Sequence, residues 1–257
     1  MGPSNLWNVV DAGEPSPFPR CPWALDLSDK PVPGRGKNTA QSVDARSALD
    51  QLGQWFWECG FGWDPLDVER MRDWNLRAMY GAWDALKNVD GLYPSHRLNW
   101  AAFVAGKRES RRLLGDVVLT KEDVVSKREF EDACFPCTWD LDIHVPNPTY
   151  QKGFEGNEFI SKANFGKFKK PFWAPYRILY SRNVPNLFMA GRDVSVTHEA
   201  LGTVRVMRTG GMMGEVVGLA SYLCARHSTD PRGVYKDHLD ELKEFLKRGV
   251  PPRGEEK

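Results

Sequence analysis

Between Arg192 and Arg205 the chain gathers Arg192, Asp193, His198, Glu199 and Arg205 within fourteen residues. A histidine beside a carboxylate can hold or move a proton, and a guanidinium can grip an anion or a carbonyl oxygen. Two unlike segments frame this polar loop. Before it, Leu187-Phe188-Met189-Ala190 is a continuous apolar run ended by Gly191, the pattern of a short strand buried on both faces. After it comes a helix-like stretch carrying Gly210, Gly211, Gly214 and Gly218. A strand that ends in glycine and feeds a polar loop and a helix is the usual setting for a cofactor in an α/β protein.

The glycines need a physical reason, because each one inside a helix is unfavourable by about 1 kcal/mol relative to alanine. Gly210, Gly214 and Gly218 are spaced by four and share one face. A face without side chains admits either a flat ligand or a close-packed backbone. The glycines alone do not separate these readings; the polar loop beside them favours a ligand. Gly210 and Gly211 fall near the first turn, where unpartnered N–H groups and the helix dipole suit an anion or an electron-rich carbonyl.

Three other groups of residues carry possible chemistry. In Trp139-Asp140-Leu141-Asp142-Ile143-His144 the alternation predicts a strand, with Asp140, Asp142 and His144 on a polar face that meets a substrate or water. Cys134 and Cys137 have redox or metal spacing, and His144 lies seven residues beyond. No second ligand pair follows, so a closed zinc site is not supported and structural thiols are the simpler reading. Lys107, Arg108, Arg111 and Arg112 form either a solvated face or partners for carboxylates or a ligand.

The elements that must position these residues can be read in outline. Residues 1–40 are rich in proline and glycine and read as extended. Gly34-Arg35-Gly36 is no nucleotide loop, since no strand precedes it and the third glycine is missing. Ser42–Cys59 reads as a helix, and Asp67 caps a second, strongly amphipathic helix to about Lys87. His96–Ala105 is read as partly helical, Leu113–Leu119 as a strand, and Thr120 as the start of a helix. Residues 147–170 read as loop, Phe172–Tyr180 as extended, and Val234–Lys247 as a final helix.

The totals exclude several classes. With 257 residues there is room for one large domain or two small ones. A net charge of +1 from 35 basic and 34 acidic side chains gives no case for nucleic acid or an anionic membrane. No apolar run reaches the length of a membrane span, and the first residues lack the pattern of a signal peptide. Five cysteines, an odd number, argue against a disulfide framework. A cytoplasmic setting is the expectation. Ten tryptophans supply core, and some can line a pocket for a flat ligand.

At this point the motifs become familiar. Asn186–Arg192, Thr197–Met207 and Gly210–Gly218 resemble the C-terminal flavin-binding segment of FAD-dependent oxidoreductases, including the xanthan-lyase-like flavoproteins. Ala105–Thr120, Trp139–His144 and Pro175–Ile178 resemble the middle region of that family. The resemblance implies FAD as cofactor and a small organic molecule as substrate, with electrons passing between them. It implies an α+β fold, a partial α/β flavoprotein: an incomplete FAD-domain strand and helix joined to a mixed substrate domain with a helical N-terminal part. The corresponding division is an extended segment over 1–40, a substrate or cap domain over 41–180, the C-terminal part of the FAD domain over 181–228, and a final helix and tail over 229–257.

Carried onto this sequence, the resemblance puts Gly191 and Arg192 near the ribityl–phosphate part of FAD and makes Asp193 a further cofactor-binding candidate. Glu199, Gly202 and the loop from His198 to Arg205 would lie beside the isoalloxazine. Gly210, Gly211 and Met212 would point at the pyrimidine edge. His198, Arg205 and His144 are the catalytic candidates. The chain departs from the family in lacking an N-terminal GxGxxG and the acidic residue that follows it. The expectation is therefore the C-terminal portion of a longer or split flavoprotein, with another chain supplying the half that holds the FAD pyrophosphate. The alternatives are a truncated, non-catalytic chain or subunit that binds no FAD alone, and a metal or thiol protein using Cys134, Cys137 and His144.

Overall fold

The computed structural model describes residues 1–35, 49, 52–60, 64, 66–148, 159–166 and 170–249. The chain forms two compact units, Met1–Glu109 with His144–Ala163, and Ser110–Ile143 with Asn164–Lys257. Each is built from two separate stretches. The secondary structure is mixed α and β, with short two-stranded sheets rather than one large one.

In the first unit, β1 (Trp7–Asp11) pairs antiparallel with β2 (His96–Ala101), with Trp7 opposite Ala101 and Asp11 opposite His96. Helix α1 (Val68–Asp84) starts where the sequence requires, with the Asp67 carboxylate accepting from the Arg70 N–H. It continues into a π-helical turn over Ala85–Val89. Its apolar stripe buries Met71, Ala78, Met79, Ala82 and Trp83. Aromatic side chains fill the centre: Trp7 meets Trp57 edge-on at 5.1 Å, and Trp57 stacks on Phe159 at 5.2 Å.

In the second unit, α2 (Lys121–Ser126) is held by a capping box between Thr120 and Asp123. Strand β3 (Ala133–Cys137) pairs antiparallel with β6 (Phe172–Pro175). Between them in sequence lie β4 (Leu141–Pro146) and β5 (Ser161–Gly166), which pair with each other and within which the chain changes unit. Four helices follow: α3 (His198–Val204), α4 (Met207–His227), α5 (Pro231–Asp237) and α6 (Leu239–Arg248). Helix α4 packs on β3, α5 and α6, burying Thr209, Met213, Val216, Ala220 and Leu223 along one face.

Several expectations are corrected. The run Leu187–Ala190 is not a strand of a parallel sheet; only Phe188 makes a bridge, antiparallel to Tyr180. The intervening turn sends the chain straight back, so its hydrogen bonds go to Leu179 and Ser181. Leu113–Leu119 likewise makes only one bridge, Leu119 to Val196. His96–Ala101 is strand rather than helix, because its alternating side chains match the register offered by β1. Within the helix expected over Ser42–Cys59, residues 42–48, 50 and 51 lie outside the described residues, and 52–59 form turns and bridges. The polar stretch 147–170 holds a strand, β5, and buries Phe159 and Ile160; residues 149–158 and 167–169 lie outside the described residues.

Candidate functional site

The polar loop and glycine helix lie in the second unit. Gly191 has φ +117°, a backbone state that side chains disfavour, and its N–H approaches the Met213 sulfur of α4 at 3.3 Å. Arg192 and Asp193 follow on the surface. Val194, Ser195 and Val196 are buried, and the backbone of Ser195 and Thr197 bonds both sides of Leu119. This anchors the start of α3, where the Thr197 hydroxyl accepts from the Ala200 N–H. His198 is exposed on the first turn of α3, and Glu199 pairs with Lys121 at 2.9 Å.

Arg205 ends α3. Its guanidinium reaches the Asp142 carboxylate at 3.1 Å and the Asp142 carbonyl at 3.2 Å, with both side chains only 12% exposed. Thr203 donates its hydroxyl to the Trp139 carbonyl. Asp142 on the polar side of β4 is thus committed to a helix end rather than to water. Gly202 explains how α3 comes so close: a Cβ there would stand 2.9 Å from the Asp142 backbone N and O. Close approach to a backbone accounts for that glycine without a ligand.

The glycines of α4 behave differently. At Gly210, Gly211, Gly214 and Gly218 a Cβ would meet nothing within 4 Å. Helix–sheet packing within the described residues therefore does not explain them. They belong to the face opposite the buried stripe, beside Met207, which is 94% exposed. No side chain caps α4 at Val206, and the first intrahelical bond is Gly210 N–H to the Val206 carbonyl. The donors left at this helix start are those of Met207, Arg208 and Thr209, one turn earlier than the glycine pair. The Thr209 hydroxyl, in the same turn, is buried without a hydrogen-bond partner among the described residues. On the flank of α4, Met212 and Val216 line a cavity of about 420 Å³ with Phe135, Trp173 and Leu246.

His144 lies in the first unit, in a cluster that sequence reasoning did not assemble. Glu58 is fully buried, and its Oε1 accepts from the Ser161 hydroxyl at 2.6 Å and lies 2.5 Å from His144 Nδ1. Arg108 Nη1 stands 2.6 Å from His144 Nδ1 and 2.8 Å from Nε2. The tautomer that satisfies both carries its proton on Nδ1 towards Glu58 and offers Nε2 to Arg108. Trp55 closes the cluster, edge-on to the imidazole at 4.8 Å. Both imidazole nitrogens are engaged, so the geometry makes His144 an anchor for Arg108. The available signal was Glu58 itself, a lone carboxylate in Trp55-Phe56-Trp57-Glu58-Cys59.

The cysteine pair sits within β3, not at a helix N-terminus. The Cys134 thiol is directed at the Ala174 carbonyl, and burial raises it well above the ordinary thiol range. Burial also pushes Cys137 up to about 12. Neither suits thiolate chemistry. In the native chain at pH 8, a thiol reagent is expected to modify Cys21 and, more slowly, Cys224, which are only partly buried. Cys59, Cys134 and Cys137 should react only after denaturation, as peptide mapping of the labelled chain would show.

The start of α4 offers uncapped amides beside a helix face with open space, donors that would suit the electron-rich edge of a flavin ring. No strand–glycine loop–helix unit of the kind that would hold a pyrophosphate occurs among the described residues. The Gly34-Arg35 turn is closed on itself, with the Arg35 guanidinium bound to the carbonyls of Leu27, Ser28 and Lys30 and to Asp90. The sequence model described as FAD dependent oxidoreductase matches residues 25–246, nearly the whole chain and both units. No curated protein and no solved structure matches the chain. A match of that extent, over a helix start and glycine face of this kind, places the chain in the FAD-dependent oxidoreductase family.

Proposed function

We propose that this chain forms the flavin-facing part of an oxidoreductase that passes electrons between a small organic substrate and FAD, with the pyrophosphate-binding half supplied from outside the described residues. The observation that carries the reading is the start of α4, with its uncapped amides and the uncovered glycines that follow. FAD supplies the two-electron chemistry when bound. The chain's own part is electrostatic and positional. The amides of Met207, Arg208 and Thr209 offer donors to an electron-rich carbonyl, an interaction of about 0.3–2 kcal/mol. Arg205, which Asp142 holds, would steer an anion, and His198, exposed at the start of α3, would move a proton. Gly191 and Arg192 would serve the ribityl–phosphate part, with Asp193 a further cofactor-binding candidate.

The visible spectrum tests this. Purified chain mixed with FAD is passed through gel filtration. Flavin absorbance that travels with the protein supports the proposal, and Gly214→Val should then abolish it without unfolding the chain, because the face is open. A chain that stays colourless alone but retains FAD with a GxGxxG-bearing half supports the split arrangement. Colourless protein under both conditions leaves the second reading, a non-catalytic subunit. The closed Gly34-Arg35 turn is what favours that reading.

A further inference from the structure

His227, His238 and Glu241 come together through the fold and not through sequence spacing. His227 is the last residue of α4, His238 stands in the break between α5 and α6, and Glu241 lies in the first turn of α6. The short α5 turns the chain back so that α6 runs beside the end of α4. Glu241 Oε2 lies 2.7 Å from His227 Nε2, and the two imidazoles stack with centroids 3.9 Å apart and 9° between planes. One ligand atom from each residue falls within 4.8 Å of the others.

We propose that these three side chains form a binding site for a divalent transition-metal ion of the zinc type. Two imidazole nitrogens and one carboxylate oxygen match the borderline ligand preference of Zn²⁺, Co²⁺ and Ni²⁺. Ca²⁺ and Mg²⁺, which require mostly oxygen, are poorly served. All three residues are partly exposed, which leaves positions on the ion for water. An ion in the plane of one stacked ring lies out of the plane of the other, so binding must turn one ring. His238 is outside both helices and is the ring free to turn.

The surroundings favour a cation. Glu131, Asp237 and Asp240 line the same surface depression as His238 and Glu241, against one lysine, Lys236. The C-terminal ends of α4 and α5 add negative dipole ends, opposed by the N-terminus of α6. Arg226 holds Glu241 Oε1 at 3.1 Å, leaving Oε2 to face the imidazoles. An ion pair joining α4 to α6 would explain His227, Arg226 and Glu241. It would not explain His238, whose imidazole makes no hydrogen bond among the described residues and only the stack.

The test uses the full chain stripped with EDTA, titrated with Zn²⁺ by calorimetry and with Co²⁺ by visible absorption. A single saturable site is expected. His238→Ala and Glu241→Gln should each weaken binding by at least about tenfold. His238→Ala should leave thermal unfolding in EDTA unchanged, separating loss of a ligand from loss of the fold. No saturable binding, or binding that ignores both substitutions, would overturn the proposal. Neither readout involves flavin.

Discussion

Glu58→Ala is expected to destabilise the unit containing α1 by about 3–5 kcal/mol, the range for removing one partner of a buried ion pair. Glu58 is fully buried, and its Oε1 is shared by Ser161 and His144, with Arg108 Nη1 at 3.5 Å. Alanine leaves a hydroxyl, an imidazole and a guanidinium turned towards a cavity with no acceptor. Arg108 is only 17% exposed and would have to swing out to recover water. Glu58→Gln keeps an acceptor for Ser161 and His144 and loses only the charge. Its expected effect is smaller, about 1–3 kcal/mol. Urea unfolding followed by tryptophan fluorescence reads both, since Trp7, Trp55, Trp57 and Trp83 all belong to this unit. If alanine has an effect below about 1 kcal/mol, the cluster is not the anchor its geometry describes.

Features written in adjacent residues were legible in the sequence. Asp67 and Thr120 cap the helices they precede, because a cap is a contact across three residues. The alternation of Trp139–His144 gave β4, and the glycine-bearing helix after the polar loop is α4. Pairing was not legible. Leu113–Leu119 and Leu187–Ala190 have the composition of strands, but each makes a single bridge, to a residue outside the named strands. Glu58 meets Arg108, His144 and Ser161 from 50, 86 and 103 residues away, and no local pattern announces such a meeting. The sequence also could not separate Gly202, which faces a backbone, from Gly214, which faces open space. The two glycines look alike until the neighbour is placed.

That difference yields opposite signs for the same kind of substitution. Gly211→Ala, Gly214→Ala and Gly218→Ala combined are expected to stabilise the isolated chain by about 2–3 kcal/mol, the helix-propensity gain of alanine over glycine. Among the described residues nothing lies within 4 Å of the added methyl groups to oppose it. At about 2–4 °C per kcal/mol, the thermal midpoint should rise by roughly 5–10 °C in a calorimetric scan. Gly202→Ala should instead destabilise by about 1–3 kcal/mol, because its methyl group would press on the β4 backbone at Asp142. The triple variant is also the sharper probe of function. Any ligand or second polypeptide that lies against α4 must come close along the line of Gly211, Gly214 and Gly218, and three methyl groups hold it off. Loss of flavin or partner binding in a more stable chain could not be ascribed to unfolding. Retained binding with raised stability would mean that the open face of α4 serves neither ligand nor partner, and would remove the observation on which the flavin-facing assignment rests.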